Sequence, residues 1–166
     1  MIHSKVNPIG LDLALYRIQQ KLDAIGWENT DVYGRLYINE KGKQKLAETH
    51  IGNGQYKEVF VDDKKNAVFG FIVGDTRQHL SLIKCSVTLI CSCRLNKLYD
   101  STELKDEETL QTVVNVIKQI VMLPNQGDIK TGLKSVFADI SYEKFKFRDM
   151  YPWFNFSISF DLNYKL

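Results

Sequence analysis

The stretch that decides the fold is Ile83-Lys84-Cys85-Ser86-Val87-Thr88-Leu89-Ile90-Cys91-Ser92-Cys93-Arg94-Leu95. Its odd positions are Ile, Cys, Val, Leu, Cys, Cys and Leu, and its even positions are Lys, Ser, Thr, Ile, Ser and Arg. Successive side chains on a strand point to opposite faces, so this run predicts a β-strand with one apolar face and one face of mostly small polar residues. At ~3.3 Å per residue it spans about 43 Å if straight. Strands usually hold about 5–6 residues, so this one should bend, carry a bulge or project past the body.

A second alternating run closes the chain. In Trp153–Leu166 every even position is apolar, from Phe154, Phe156 and Ile158 to Tyr164 and Leu166, while the odd positions include Asn155, Ser157, Ser159 and Asp161. Enrichment in β-branched and aromatic residues predicts further strands at Val32–Asn39, Tyr56–Val61, Ala67–Val73 and Ser135–Tyr142. Asp62–Asn66 reads as a polar hairpin turn and Gly74-Asp75-Thr76 as a break. Between the first two strands, Glu40–Gln55 reads as a long connection, with a short helical turn at Lys43–Thr49. A connection of that length inside a compact domain is usually functional or mobile.

Two helices complete the set. Leu11, Leu15, Ile18, Leu22 and Ile25 recur at spacings of four and three and form one stripe, with Gly26 as the stop. The second helix, Asp106–Met122, carries Leu110, Val113, Val114, Ile117, Ile120 and Val121 on one face and ends at Pro124. Asp106, Glu107 and Glu108 lie in its first turn, where carboxylates oppose the positive end of the helix dipole. The expected fold is a single α+β domain over residues 1–166: two layers, a mainly antiparallel sheet with both helices packed on one face.

Composition narrows the function classes. The 166 residues are 44% hydrophobic and 25% charged, which excludes a disordered chain. Twenty-two Lys and Arg against 20 Asp and Glu leave a charge of +2, too near balance to point to nucleic acid by charge alone. Apolar stretches are interrupted well before the ~20 residues of a membrane helix, so no membrane association is expected. The first residues lack an unbroken apolar segment, so no signal peptide is expected either.

No catalytic motif stands out, and no pattern calls for a cofactor. Cys85, Cys91 and Cys93 share the apolar face of their strand and lack the paired spacing of a zinc site, so they read as buried thiols. His3, His50 and His79 stand apart from one another; a site assembled in space around His50 or His79 is the enzyme alternative. Gly52-Asn53-Gly54 is a loop tip rather than a phosphate cradle, and Asn155-Phe156-Ser157 matches the glycosylation pattern only inside a strand. Tyr142-Glu143-Lys144-Phe145-Lys146-Phe147-Arg148 mixes bases and aromatics. It fits either a hairpin strand with a lysine-bearing outer face or a single-stranded nucleic-acid platform.

The small polar faces of the two long strands suit close approach of another surface. They make Asn155, Ser157, Ser159 and Asp161 candidate subunit-interface residues. The long connection adds Lys41, Lys43, Lys45, Glu48, His50, Asn53 and the adjoining Tyr56.

The element order resembles the tail-terminator and tail-completion (neck) proteins of tailed bacteriophages. The likeness rests on Ile140–Asp149, Trp153 and the alternating Phe156–Tyr164, which look like that family's last hairpin, and on Ile83–Leu95 followed by Glu107-Glu108 and the Leu110–Val121 helix. The resemblance implies a virion structural protein without catalytic residues, assembled in the host cytoplasm. It implies a hexameric or dodecameric ring of identical subunits in the neck or tail, bound to neighbouring neck and tail proteins, with DNA passing through unbound. A nucleic-acid-binding accessory protein using Lys144, Lys146 and Arg148 is the alternative.

Overall fold

The computed structural model describes residues 1–121 and 128–165. In chain order its elements are β1 (Ile2–His3), α1 (Gly10–Asp23), β2 (Thr30–Lys41), β3 (Gln44–Gly52), β4 (Gln55–Glu58), β5 (Ala67–His79) and β6 (Leu82–Arg94). There follow α2 (Leu95–Leu98), α3 (Asp106–Lys118), β7 (Ile129–Thr131), α4 (Leu133–Val136), a 3-10 helix (Glu143–Asp149) and β8 (Trp153–Tyr164). The fold is α+β, with an eight-stranded, mainly antiparallel sheet in the order β4-β3-β2-β5-β6-β8-β7 and β1 beside β2. The expected second helix, α3, ends at Lys118 with Gln119 as its cap, short of the expected Met122; Met122, Pro124 and Leu166 lie outside the described residues.

The two long alternating runs pair antiparallel along their whole length, from Ile83 opposite Tyr164 to Arg94 opposite Trp153. Cys85, Val87, Leu89, Cys91 and Cys93 thereby join Phe156, Ile158, Phe160 and Leu162 on one buried face. The stripes of α1 (Leu11, Leu15, Ile18, Leu22) and α3 (Val113, Val114, Ile117) pack against that face. Amphipathic helices with one apolar stripe need such a surface, and this one is supplied by the period-2 pattern of the strands.

The opposite face also carries a core, where a single covered face was expected. Ile90, Val68, Leu36 and Tyr33 pack there with Leu133, Val136, Phe137, Ile140 and Phe145. Ser135–Tyr142, expected as a strand, instead holds the end of α4 and a turn, and Tyr142–Arg148 holds the 3-10 helix rather than a hairpin strand. The reason is packing: Val136, Phe137, Ile140 and Phe145 fall at intervals of one, three and five, so compact helical turns can set all four on the sheet.

Three further expectations need correction. Glu40–Gln55 is not a free connection but the β2–β3–β4 meander, with Lys41 opposite Gln44 and Gly52 opposite Gln55. Asn53 and Gly54 both have positive φ (50° and 71°), the conformation of the two-residue turn that matches strand twist. Asp62–Asn66 does not close a hairpin, because β5 lies parallel to β2 and antiparallel to β6. Val68, Phe69 and Phe71 are buried, and Val68 and Phe69 belong to opposite cores; a strand apolar on both sides belongs in the middle of the sheet. Finally, Gly74-Asp75-Thr76 is not a break: β5 runs on to His79 with a register shift between Val73 and Thr76.

Candidate functional site

Two strands share one flank of β2 and leave a gap between them. β1 pairs with Val32 and Tyr33, and β3 begins pairing at Tyr37. Gly34, Arg35 and Leu36 have no strand partner on that flank among the described residues. The gap opens into a groove of about 940 Å³, walled by the N-terminal arm and the start of α1 on one side and by the β3–β4 hairpin on the other. That volume is in the range of ligand-binding clefts.

The arm wall is held by a chain of polar contacts. Gln19, buried on α1, donates from Nε2 to the carbonyl of His3 (3.0 Å) and that of Val32 (2.8 Å), tying α1 to both strands. Gly34 lies beneath it; a Cβ there would sit 3.6 Å from Gln19 Oε1 and from the His3 carbonyl. The His3 ring stacks on Tyr33 with centroids 4.3 Å apart and planes 10° from parallel. Its Nε2 is 3.1 Å from Asp31 Oδ1, and Lys65 Nζ is 3.1 Å from Asp31 Oδ2. Burial pushes the Asp31 carboxyl up, but contact with His3 and Lys65 and their charges outweigh it, so the group lies below its ordinary range. Burial, reinforced by the charge of Asp31, pushes the Tyr33 phenol up to about 12, so it is neutral at physiological pH.

Cations and aromatics line the remainder. Asp12, in the first turn of α1, pairs with Lys5 and accepts from Arg35 Nη2 at 3.1 Å, which brings the two cations to one carboxylate. On the hairpin wall, Tyr56 meets Tyr37 and His50 edge to face, with centroids 5.7 and 5.3 Å apart, and Lys57 is adjacent. Lys5, Arg35 and Lys57 thus face the groove against the single carboxylate of Asp12.

Of the candidate interface residues, the groove gathers only His50 and Tyr56. Lys41, Lys43 and Lys45 are exposed along the β2–β3 hairpin, and Asn53 forms the β3–β4 turn. Glu48 is a correction: it is 2% exposed and accepts from Lys41 and from Asn39 Nδ2 (2.7 Å). The Lys41 hydrogen bond chiefly holds its carboxyl below the ordinary range. Asn155 and Ser157 are likewise core residues beneath the second helical layer, and no surface is left there for a neighbouring subunit. Asn155 accepts from Ser92 (2.7 Å) and donates to the Arg148 carbonyl (2.7 Å). Ser159 is half-buried with its hydroxyl 2.9 Å from that of Thr88, and Asp161 pairs with Lys84 at 2.8 Å.

The basic run forms a 3-10 helix rather than a strand, and Lys144, Lys146 and Phe147 are exposed along it. Arg148 is buried, while Lys144 is paired with Glu58 and Lys146 with Glu143. Cys85, Cys91 and Cys93 are buried free thiols, and burial pushes the Cys91 thiol well up, with Cys93 adding to the effect. Among the described residues no cluster of three or more His, Cys, Asp and Glu side chains is placed to hold a metal, and no helix is long and apolar enough to cross a membrane. The sequence reading did not single out Lys5, Arg35, Tyr33 or Lys57, which come from separate elements without a shared motif. No known protein family, curated protein or solved structure matches the chain.

Proposed function

We propose that the chain is a ring-forming structural subunit of a phage neck or tail, a hexamer or dodecamer that leaves a channel for DNA and acts by shape rather than catalysis. The observation that carries this reading is the end of the β5–β6 hairpin. At its Leu80-Ser81 turn Leu80 is 84% exposed, and Leu82 beside it is exposed as well. A β-ribbon tip carrying apolar residues in water is poorly stable alone and gains by seating on another surface. Part of the expected element order supports the same reading: α1 and α3 lie together on the long paired strands and the chain closes on the aromatic-rich β8, whereas Ile140–Asp149 does not form the first strand of a last hairpin. A ring of identical subunits closes through two unlike surfaces, one of which the exposed hairpin tip would supply.

The test is the mass in solution by light scattering over a wide concentration range at two salt concentrations, followed by electron microscopy. The expected result is a closed multiple, six or twelve, of the 19.2 kDa subunit. A 19.2 kDa species at every concentration, combined with tight and salt-sensitive DNA binding, overturns the reading in favour of a nucleic-acid-binding accessory protein.

A further inference from the structure

We propose that the groove between the N-terminal arm and the β3–β4 hairpin binds a nucleoside phosphate unit, with the base on the His3–Tyr33 stack and the phosphate on Lys5 and Arg35. This does not depend on the ring reading, because the groove is formed within one chain.

The base site follows from the stack. Tyr33 is buried and covers one face of the His3 ring, while His3 lines the groove with its side chain 34% exposed. A third planar ring continues such a stack without needing any particular base, since every base offers a π-face. Tyr37 and Tyr56, edge to face with centroids 5.7 Å apart, also line the groove and add aromatic surface to it.

The phosphate site follows from charge. Lys5 and Arg35 meet at Asp12, so two cations share one carboxylate and the cluster carries a net positive charge. The Arg35 side chain is 31% exposed and that of Lys5 66%, so both cations are open to an incoming anion. Asp12 holds the Lys5 and Arg35 side chains toward one point, which reduces the ordering a bound anion must impose. A phosphate dianion matches both cations and accepts from the planar guanidinium fork, and Lys57 extends the positive wall across the groove. The same chemistry is met in a free nucleotide and in one unit of a single strand.

The experiment is titration calorimetry of the full chain at low salt with AMP, adenosine, inorganic phosphate and short oligothymidylates. AMP is expected to bind saturably, and adenosine and phosphate about tenfold or more weaker, because each fills half of the site. Lys5→Gln, at a side chain 66% exposed and thus safe for folding, and His3→Ala are each expected to weaken AMP about fivefold or more, with weakening by added salt. Oligothymidylate affinity that rises with length assigns the unit to a strand; affinity no better than that of AMP assigns it to a free nucleotide. Absence of saturable binding by AMP and by every oligothymidylate overturns the proposal, as does binding that neither substitution moves.

Discussion

Arg148 is a buried cation with no carboxylate partner among the described residues, and its replacement separates two accounts of what it contributes. The side chain is 1% exposed. Nη1 donates to Ser92 Oγ at 3.3 Å, while Nε and Nη2 have no partner among the described residues. The guanidinium carbon lies 4.3 Å from the centre of the Trp153 ring and 5.5 Å from those of Phe145 and Phe147. Burial pulls its pKa well below the ordinary guanidinium value, to about 10, against the opposing charges of Asp63 and Asp62. The group therefore stays charged at neutral pH, and holding that charge in the fold costs about 3 kcal/mol at ~1.4 kcal/mol per pKa unit. The aromatic rings return about 2 kcal/mol and the Ser92 hydrogen bond about 1 kcal/mol, so the terms nearly cancel. Arg148→Met keeps the length of the stem and removes both the cost and the gains. It is expected to lie within about 1 kcal/mol of the parent chain in urea unfolding. Arg148→Ala removes the stem as well and leaves a cavity, for a loss of about 3 kcal/mol. Arg148→Lys keeps a more strongly hydrated charge and loses the flat surface that stacks, for a similar loss. If Arg148→Met costs as much as Arg148→Ala, the charge itself holds the fold and the cancellation is wrong.

Asp31→Asn is expected to cost about 1–2 kcal/mol at neutral pH by stranding His3 and Lys65. Because the folded carboxyl lies below its unfolded value of 3.8, the loss is full above that pH and fades as pH falls through the folded pKa, as urea midpoints across pH would report. At Gly70 a Cβ would sit 2.4 Å from Leu36 Cδ1 inside the second core, so Gly70→Ala is expected to lower stability by about 1–3 kcal/mol in a thermal melt. Gly54→Ala, at φ 71° in the β3–β4 turn, is expected to cost about 1 kcal/mol and to lower hydrogen-exchange protection of β4. Under the ring reading, the β5–β6 hairpin exposes Leu80, and β7, at one end of the strand order, exposes Ile129. Leu80→Asp and Ile129→Asp are each expected to stop closure when alone and to pair when mixed, as light scattering would show; a closed multiple from either alone removes that surface from the interface.

What the sequence made legible was whatever one strand or one helix decides within itself. Ile83–Leu95 and Trp153–Tyr164 alternate because one face is always against the helices, and the stripes of α1 and α3 repeat for the same reason. The β2–β3–β4 meander was also written locally: Asn53-Gly54 is the strongest short hairpin signal, and Gly42 with positive φ begins the preceding turn. The charged residues around both turns obscured it, since an edge hairpin in water does not alternate cleanly. The parallel insertion of β5 beside β2 is written only in part: the unbroken apolar run Ala67–Val73 marks a strand covered on both faces, but not which strand it joins. It depends on which strand can be apolar on both faces, and on contacts such as Asn29 Nδ2 with the Lys64 carbonyl (2.7 Å), which join distant residues. The groove shared that fate, because its cations and aromatics converge only after β1, β2 and β3 are in register.

The small polar residues on the second sheet face had two possible explanations, contact with another subunit or contact within the chain. Ser92, Asn155 and Ser157 are buried beneath α4 and the 3-10 helix, and Arg148 closes the cluster from above. Serine and asparagine fit this position because the second layer leaves backbone and guanidinium groups that need partners, and an apolar strand face would strand them. Farther along the same strands, toward Ser159 and Asp161, the second layer ends and the polar residues turn to partners on β6, Thr88 and Lys84. A single period-2 pattern therefore serves an internal polar layer at one end of the strands and a partly exposed surface at the other. That division leaves the middle of the sheet closed to any subunit contact, and a neighbour that approaches without displacing the second core would meet the exposed tip of the β5–β6 hairpin or the lateral edges.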